Sequence, residues 1–128
     1  MLIQELMAEI MLTEAWILKQ PINEMAGLPS RDTGLPFFMW IGKIGGQHGP
    51  RIKVSNIKGA FAEDDCFVIS VSKPPQVMTP KAMHLRTAEL QLVLDWVQLN
   101  YDELMALYMM YETGDGSAIE LLSALKKI

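Results

Sequence analysis

The chain has 128 residues, enough for one domain with its own core and too few for two ordinary ones. Hydrophobic residues make up 50% of it, which excludes an intrinsically disordered chain. The net charge of −4 argues against a bulk nucleic-acid binder, and the single cysteine excludes an internal disulfide and favours a reducing, cytoplasmic compartment.

The first twenty residues repeat apolar side chains at spacings of three and four, which is typical of an amphipathic helix. Three glutamates interrupt the apolar run: Glu5, Glu9 and Glu14. They argue against both a secretory signal and a transmembrane helix. The pattern ends at Pro21, because the residue before a proline disfavours the α conformation. We therefore predict an N-terminal helix and linker at residues 1–24, followed by a single domain at residues 25–128.

The next part of the chain changes from loop-forming to strand-forming residues. Residues 21–36 are rich in proline, glycine and polar side chains, which predicts a connection. Aromatic, branched and alternating residues then predict strands at 37–43, 51–55 and 66–72. The segments between these strands are too short for helical crossovers, so an antiparallel meander is expected.

Helical periodicity returns in the last third of the chain. It predicts a helix at 87–99, with Thr87 as its N-cap, and a new or kinked helix at 101–111. Asn100 followed by Glu103 resembles an N-cap with its capping-box acid. A last helix is indicated by the stripe Ala118, Leu121, Leu122 and Leu125. The fold class predicted is α+β, with a three- to four-stranded antiparallel meander packed against C-terminal helices.

No catalytic or metal-binding pattern is visible in the sequence. The two histidines and the cysteine have no partners at ligand spacing, and neither a P-loop nor a Gly-x-Ser-x-Gly elbow is present. We therefore expect no metal, no cofactor and no enzymatic activity. One enzymatic alternative stays open, in which Arg31 and Arg51 hold a small substrate and Asp32 or His48 acts as the acid–base group.

Basic residues are concentrated between residues 31 and 60, where five cations stand against one acid. Arg51 and Lys53 are two apart on a predicted strand, so they point to the same side of the sheet. His48 lies in the loop that leads into this strand. If Arg31 folds near them, the four residues form an anion-binding patch for a phosphate or carboxylate. The alternative is an ordinary exposed sheet with charged outward residues and a turn fixed by Arg31.

The first predicted strand is apolar on both sides. Met39 and Ile41 face one way, and Phe38 and Trp40 face the other. Both sides should therefore be covered, the second one by the N-terminal helix or by another protein chain. Trp40, with Phe38, is the best candidate for an interface anchor, and a role in the core is the alternative.

Four runs carry a resemblance to known sequences: Leu28–Pro36, Trp40–Ile41, His48–Val54 and Trp96–Asn100. Together they resemble short uncharacterised bacterial proteins, some of them carried on mobile elements. More distantly they are similar to a bacterial domain of unknown function that often neighbours toxin–antitoxin genes. The resemblance implies a meander of short strands with a C-terminal Trp-x-x-x-Asn helix, and it implies no particular activity.

These observations favour a non-enzymatic interaction protein or self-associating accessory factor of bacterial or mobile-element origin. Its partner would be another protein or a second copy of the chain, and no membrane contact is expected. The alternative is nucleic-acid or phosphate-ligand binding through residues 31–60, which the acidic remainder of the chain opposes at long range.

Overall fold

A computed structural model describes four stretches of the chain: residues 25–42, 50–60, 64–113 and 118–127. The helix and linker predicted at residues 1–24 lie outside these residues, and so does His48.

Four strands form one antiparallel sheet with the order β1-β2-β3-β4. They are β1 (Met25–Leu28), β2 (Met39–Gly42), β3 (Arg51–Ser55) and β4 (Cys66–Ser70). Each strand pairs with the next one along the chain, so the predicted meander and the α+β class are confirmed.

Strand β1 was not predicted, because it lies inside the segment that composition assigns to a connection. Its sequence, Met-Ala-Gly-Leu, has neither β-branched residues nor an alternation of apolar and polar side chains. Pairing with β2 creates the strand: Met25 lies opposite Gly42 and Leu28 lies opposite Met39. Tertiary context therefore overrides a weak local preference.

A single helical turn, α1 (Ser30–Thr33), follows β1 within the same predicted connection. The carbonyl of Pro29 accepts hydrogen bonds from the amides of Asp32 and Thr33 at 2.9 and 3.1 Å. Gly34 ends the turn at a φ of +73°, and its amide donates to the Ser30 carbonyl. Only glycine adopts that backbone conformation without strain, so the helix ends here.

Three further helices follow the sheet: α2 (Thr87–Leu99), α3 (Tyr101–Thr113) and α4 (Ala118–Ser123). Helix α2 has the predicted bounds, but its cap differs from the prediction. Thr87 is the first helical residue, and the carboxylate of Glu89 accepts hydrogen bonds from both the amide and the guanidinium of Arg86.

Asn100 lies at the predicted N-cap position directly before α3, and its carbonyl accepts a hydrogen bond from the Leu104 amide at 2.9 Å, but its side chain has other partners. Its side-chain amide donates to the carbonyls of Trp96 and Lys126 at 3.1 and 2.9 Å, and its oxygen accepts from the Lys126 amide at 2.6 Å. Glu103 forms an ion pair with the Lys126 ammonium group at 2.6 Å. Asn100 and Glu103 thus anchor the end of the chain instead of forming a capping box.

The main core lies between one side of the sheet and the helices. Strands contribute Met39, Ile41, Ile52, Val54, Phe67 and Ile69, and helices contribute Val93, Trp96, Val97, Leu104 and Leu107. All are fully buried, so this one cluster holds sheet and helices together. The indole N–H of Trp96 is buried within it without a hydrogen-bond partner.

The outer edge of β4 is covered by the segment that follows it. The Met78 amide donates to the Val68 carbonyl, and the Val68 amide donates to the Thr79 hydroxyl at 2.9 Å. Nearby, the Asn56 side chain ties the β3–β4 turn to Asp65, to the Ala82 carbonyl and to the His84 amide. These bonds hold the turn after β3 in a fixed position.

Candidate interaction surface

The sheet has a second face, on the side opposite α2 and α3. We use this name for Trp40, Gly42, Arg51, Lys53, Ser55, Cys66 and Val68, which alternate with the residues of the main core. All of them are buried. Within this face Trp40 and Cys66 form a small cluster that is separate from the main core, and the Trp40 indole lies against Gly27 of β1.

Arg51 and Lys53 lie on the second face, as the alternation of β3 predicted, but not in an exposed position. Arg51 is 3% exposed and Lys53 is 4% exposed. The exposed-sheet alternative is therefore wrong for these two residues. Strand alternation reports only the side of the sheet on which a residue lies, and here that side is covered.

The charge of Arg51 is held in an unfavourable environment. Burial lowers the pKa of the Arg51 guanidinium, and the nearby Tyr108 phenol partly opposes this effect. Buried cations are stable in proteins only when they have polar or charged partners, and neither Arg51 nor Lys53 is without one. Both side chains are thus engaged inside the protein, away from any ligand at the surface.

Arg31 lies at the opposite end of the sheet from Arg51. It belongs to α1, which follows the end of β1. At this end of the sheet Leu28 of β1 pairs with Met39 of β2, and Met39 pairs with Val54 of β3. Arg51 begins β3, about 10 Å along the strand from Val54. Arg31 is 81% exposed, and its guanidinium contacts Asp32 at 3.4 Å. The sheet register therefore separates Arg31 from Arg51, while Arg51 and Lys53 share one face.

Phe38 and Trp40 come together as a stacked pair. Their ring centroids are 6.3 Å apart, with an angle of 20° between the planes. Trp40 is buried, whereas Phe38 is 40% exposed. Phe38 is therefore an exposed aromatic ring that rests on a fixed one.

Phe38 has an apolar neighbour in the β3–β4 turn, which the sequence did not single out. Backbone hydrogen bonds join Ser55 to Phe38 and Gly59 to Pro36, and Ile57, 45% exposed, lies in the turn between these two contacts. One feature of the sequence could have indicated an exposed apolar side chain here. Ile57 stands among the turn-forming residues Asn56 to Gly59, and an apolar side chain in a surface turn is seldom buried.

Two exposed cations lie at the same end of the sheet: Arg31 on α1, and Lys58 beside Ile57. Lys58 is close enough to Glu89 at the start of α2 to help lower the pKa of that carboxyl, after the larger effect of Arg86. We call Phe38, Ile57, Arg31 and Lys58 the corner patch. It combines two exposed apolar side chains with two cations, each of which has a carboxylate nearby: Asp32 lies 3.4 Å from Arg31, and Glu89 lies near Lys58.

The described residues contain no group of three histidine, cysteine or carboxylate side chains that could hold a metal ion. Cys66 is buried in a strand as predicted, while His84 is exposed and is fixed through its backbone amide. No helix in the described stretches is long and apolar enough to cross a membrane.

No protein-family model matches the chain, and no curated protein or solved structure matches it either. The functional inference therefore rests on the geometry of the described residues.

Proposed function

We propose that this protein is a non-enzymatic interaction protein that binds another protein through the corner patch. The observation that supports this most is the exposed ring of Phe38 stacked on the buried ring of Trp40. A ring held in this way has little conformational freedom left to lose on binding, and aromatic side chains of this kind dominate the energetics of many interfaces.

The charges of the corner patch favour a partner of complementary chemistry. Arg31, on α1, and Lys58, next to Ile57 in the chain, are both exposed. A partner segment with apolar side chains next to aspartate or glutamate would satisfy both features. Symmetric self-association through this patch would bring like charges together, so a different protein is favoured over a second copy. The resemblance to mobile-element proteins is consistent with an accessory factor of this kind.

Nucleic-acid binding is less well supported. Two of the five cations between residues 31 and 60, Arg51 and Lys53, are buried and engaged. Phosphate binding relies on cations that reach the ligand and release its counterions. The corner patch has only two exposed cations, and one of them, Arg31, contacts the Asp32 carboxylate at 3.4 Å.

The proposal is tested by capture from a host lysate with the full chain and a Phe38→Ser/Ile57→Ser variant. Leu99→Ser is the matched control, because Leu99 is as exposed as Ile57 but lies at the end of α2. We expect the full chain to capture a protein band that remains after nuclease treatment. The amount of captured protein should fall at least about tenfold with the double variant and stay the same with the control. Tenfold corresponds to about 1.4 kcal/mol of binding energy.

Three results would contradict the proposal. The first is a band that both variants retain equally, since the corner patch then makes no contribution. The second is a catch that nuclease removes, which would favour the nucleic-acid alternative. The third is an empty eluate from the wild-type chain in every lysate tested at high micromolar bait concentration.

A further inference from the structure

The two outer edges of the sheet differ in what lies beside them. Along β4, the segment that follows the strand takes up the outward backbone groups, and the Ser70 amide donates to the Gln76 carbonyl at 2.9 Å. Strand β1 forms the other edge, and in the described part of the chain no strand pairs with its outer side. An open edge of this kind is a template on which another extended chain can pair.

The register shows which backbone groups of β1 point outward. In an antiparallel sheet, a residue turns both its N–H and its C=O toward one neighbouring strand, and the next residue turns them the other way. The Ser55 amide donates to the Phe38 carbonyl at 2.9 Å, so Phe38 and, two residues later, Trp40 turn toward β3. Gly27 lies opposite Trp40 and therefore has no ladder bond to β2. Its N–H and C=O point away from the sheet.

The same alternation accounts for the hydrogen bonds at the opposite edge. Lys53 turns toward β2, so Ile52 turns toward β4, and its partner Ile69 turns back toward β3. Val68 and Ser70 should then point outward, and their bonds to the segment after β4 show that they do. The orientation of Gly27 therefore follows a pattern that holds across the whole sheet.

Gly27 is also accessible from outside. It is exposed, although Trp40 beside it is buried. It has no side chain to block an approaching strand. Strand β1 contains none of the charged residues or prolines with which proteins commonly protect a sheet edge. Among the described residues, no hydrogen bond outside the β1–β2 ladder reaches Gly27.

We infer that β1 is the docking edge for an extended segment of the partner protein, which pairs with Gly27 as an added strand and places an apolar side chain on Phe38. This inference rests on the proposed function, because the segment belongs to the partner that the corner patch binds. It specifies that the partner binds through main-chain hydrogen bonds as well as through side chains.

The open edge is continuous with the corner patch. Trp40 touches both, because a Cβ atom on Gly27 would lie 3.9 Å from its indole and Phe38 stacks on the same ring. Just after β1, the Arg31 side chain is 81% exposed on α1. Its Nε–H group contacts Asp32, and a guanidinium has several further N–H donors, so a carboxylate of the added segment can bind there as well.

The size of the edge favours a different protein over a second copy. Within β1 only Met25 and Gly27 turn their backbone groups outward. Pro29 ends the edge, because it has no N–H and its carbonyl accepts hydrogen bonds from amides of α1. Two copies joined by so short an edge would bury far less than the roughly 1,200 Å² of a stable interface. A segment that continues onto the corner patch buries more.

Amide hydrogen exchange of the free protein, with the whole chain present, tests the open edge. We expect the Gly27 amide to exchange close to its intrinsic rate. The Ala26 and Leu28 amides, which point at β2, should exchange at least about a hundredfold more slowly. Protection of Gly27 in the free monomer would overturn the inference, since the edge is then closed within the chain. Protection that grows with protein concentration would also overturn it, since the occupant is then a second copy.

A phage-displayed library of random linear peptides, selected on the whole chain, supplies the probe for binding. A selected peptide should protect the Gly27 amide from exchange. Gly27→Pro removes the outward N–H and should weaken peptide binding at least about fivefold, the effect of one lost main-chain hydrogen bond. It removes no β1–β2 bond, so circular dichroism should show a folded protein.

Gly27→Ala is the matched control, because it adds a side chain and keeps the N–H. Gly27 does not have a positive φ, and the added Cβ would make an ordinary contact with Trp40. The peptide affinity of this variant should therefore stay within about twofold of wild type. Equal affinities of Gly27→Pro and Gly27→Ala would overturn strand addition.

Comparison with Phe38→Ser/Ile57→Ser separates this inference from the proposed function. Peptides that lose affinity with the corner-patch variant but bind Gly27→Pro like wild type support the corner patch and overturn strand addition. Peptides that need the Gly27 N–H but bind the corner-patch variant normally keep the docking edge and contradict the proposed function. Peptides that are indifferent to both changes contradict both, and a library that yields no binder overturns strand addition.

Discussion

At the scale of single residues, Asn100 joins parts of the chain that are distant in sequence. It is fully buried between α2 and α3, and its side chain binds the backbone of Trp96 and of Lys126. Its two bonds to Lys126 satisfy both the amide and the carbonyl of one residue, so a single side chain fixes the position of the segment that follows α4.

We predict that Asn100→Ala lowers the free energy of unfolding by about 2–4 kcal/mol. The change removes three hydrogen bonds and leaves the Lys126 amide without its acceptor. A buried polar group that loses its partner typically costs about 1–3 kcal/mol, and water that reaches the group reduces this cost. Urea denaturation measures the effect. Gln98→Ala, a change at an exposed position two residues earlier, should cost less than about 0.5 kcal/mol. Equal effects of the two variants would show that the Asn100 contacts contribute nothing.

The ion pair between Glu103 and Lys126 should make stability depend on pH. The hydrogen bond from the Lys126 ammonium lowers the pKa of the Glu103 carboxyl. A carboxyl with a lowered pKa in the folded state stabilises the protein above its unfolded pKa, about 4.3, and that contribution disappears as the pH falls through the folded pKa.

We therefore predict that Lys126→Met lowers the free energy of unfolding by about 0.5 kcal/mol at pH 7, the value typical of a largely exposed pair. The difference from wild type should vanish near pH 2. Chemical denaturation at both pH values measures it, with Lys81→Met as the control, because Lys81 is exposed in the short 3-10 turn Pro80–Ala82. A difference that persists unchanged in acid would contradict the ion-pair explanation.

At the scale of elements, two glycines with positive φ should respond differently to the same substitution. Gly34 and Gly59 have φ values of +73° and +70°. A Cβ atom on Gly34 would lie 2.9 Å from the Lys127 side chain, whereas one on Gly59 would meet nothing within 4 Å. Both changes to alanine incur backbone strain, but only one also displaces a neighbour.

We predict that Gly59→Ala lowers the free energy of unfolding by about 1–2 kcal/mol, the cost of the left-handed conformation for alanine. Gly34→Ala should cost more, because Lys127 must move as well. Adding Lys127→Gly should bring the cost of Gly34→Ala down to that of Gly59→Ala. Thermal and urea unfolding of Gly59→Ala, Gly34→Ala, Lys127→Gly and Gly34→Ala/Lys127→Gly provide the comparison, and a larger loss at Gly59 would refute the explanation.

The elements also show where sequence patterns suffice and where they fail. Helix α2 was predicted with its observed bounds because Leu90, Val93 and Val97 form a periodic stripe on a helix that packs on the core. Strand β1 could not be predicted, since its four residues become a strand only by pairing with β2. Local periodicity therefore identified helix α2, which buries one side against the core. It missed strand β1, which forms only by pairing with β2.

At the scale of the whole molecule, the distribution of charge differs from what the sequence indicates. The alternation of β3 identified the side on which Arg51 and Lys53 lie, but it carries no information about what covers that side. For the corner patch, Phe38 was predicted from its strand, whereas Ile57 required the tertiary contact between the β3–β4 turn and Pro36. The cations in the sequence therefore do not translate directly into a basic surface.

We predict that Arg51→Glu/Lys53→Glu unfolds the protein or lowers its free energy of unfolding by at least about 3–5 kcal/mol, because it places two carboxylates at buried positions whose present interactions are made by cations. Arg31→Glu/Lys58→Glu makes the same change in net charge at exposed positions and should cost less than about 1 kcal/mol. Circular dichroism during urea unfolding distinguishes the two variants. A fully stable Arg51/Lys53 variant would mean that neither cation is held in a buried pair.

The strand order β1-β2-β3-β4 has a consequence for how the chain folds. Every strand pairs with its nearest neighbour in sequence, so each hairpin closes a short loop at a small entropic cost. Chains rich in such local contacts fold faster than those that must first join distant segments. During synthesis the whole meander therefore emerges before α2, α3 and α4, and the helices condense onto a sheet whose register already exists.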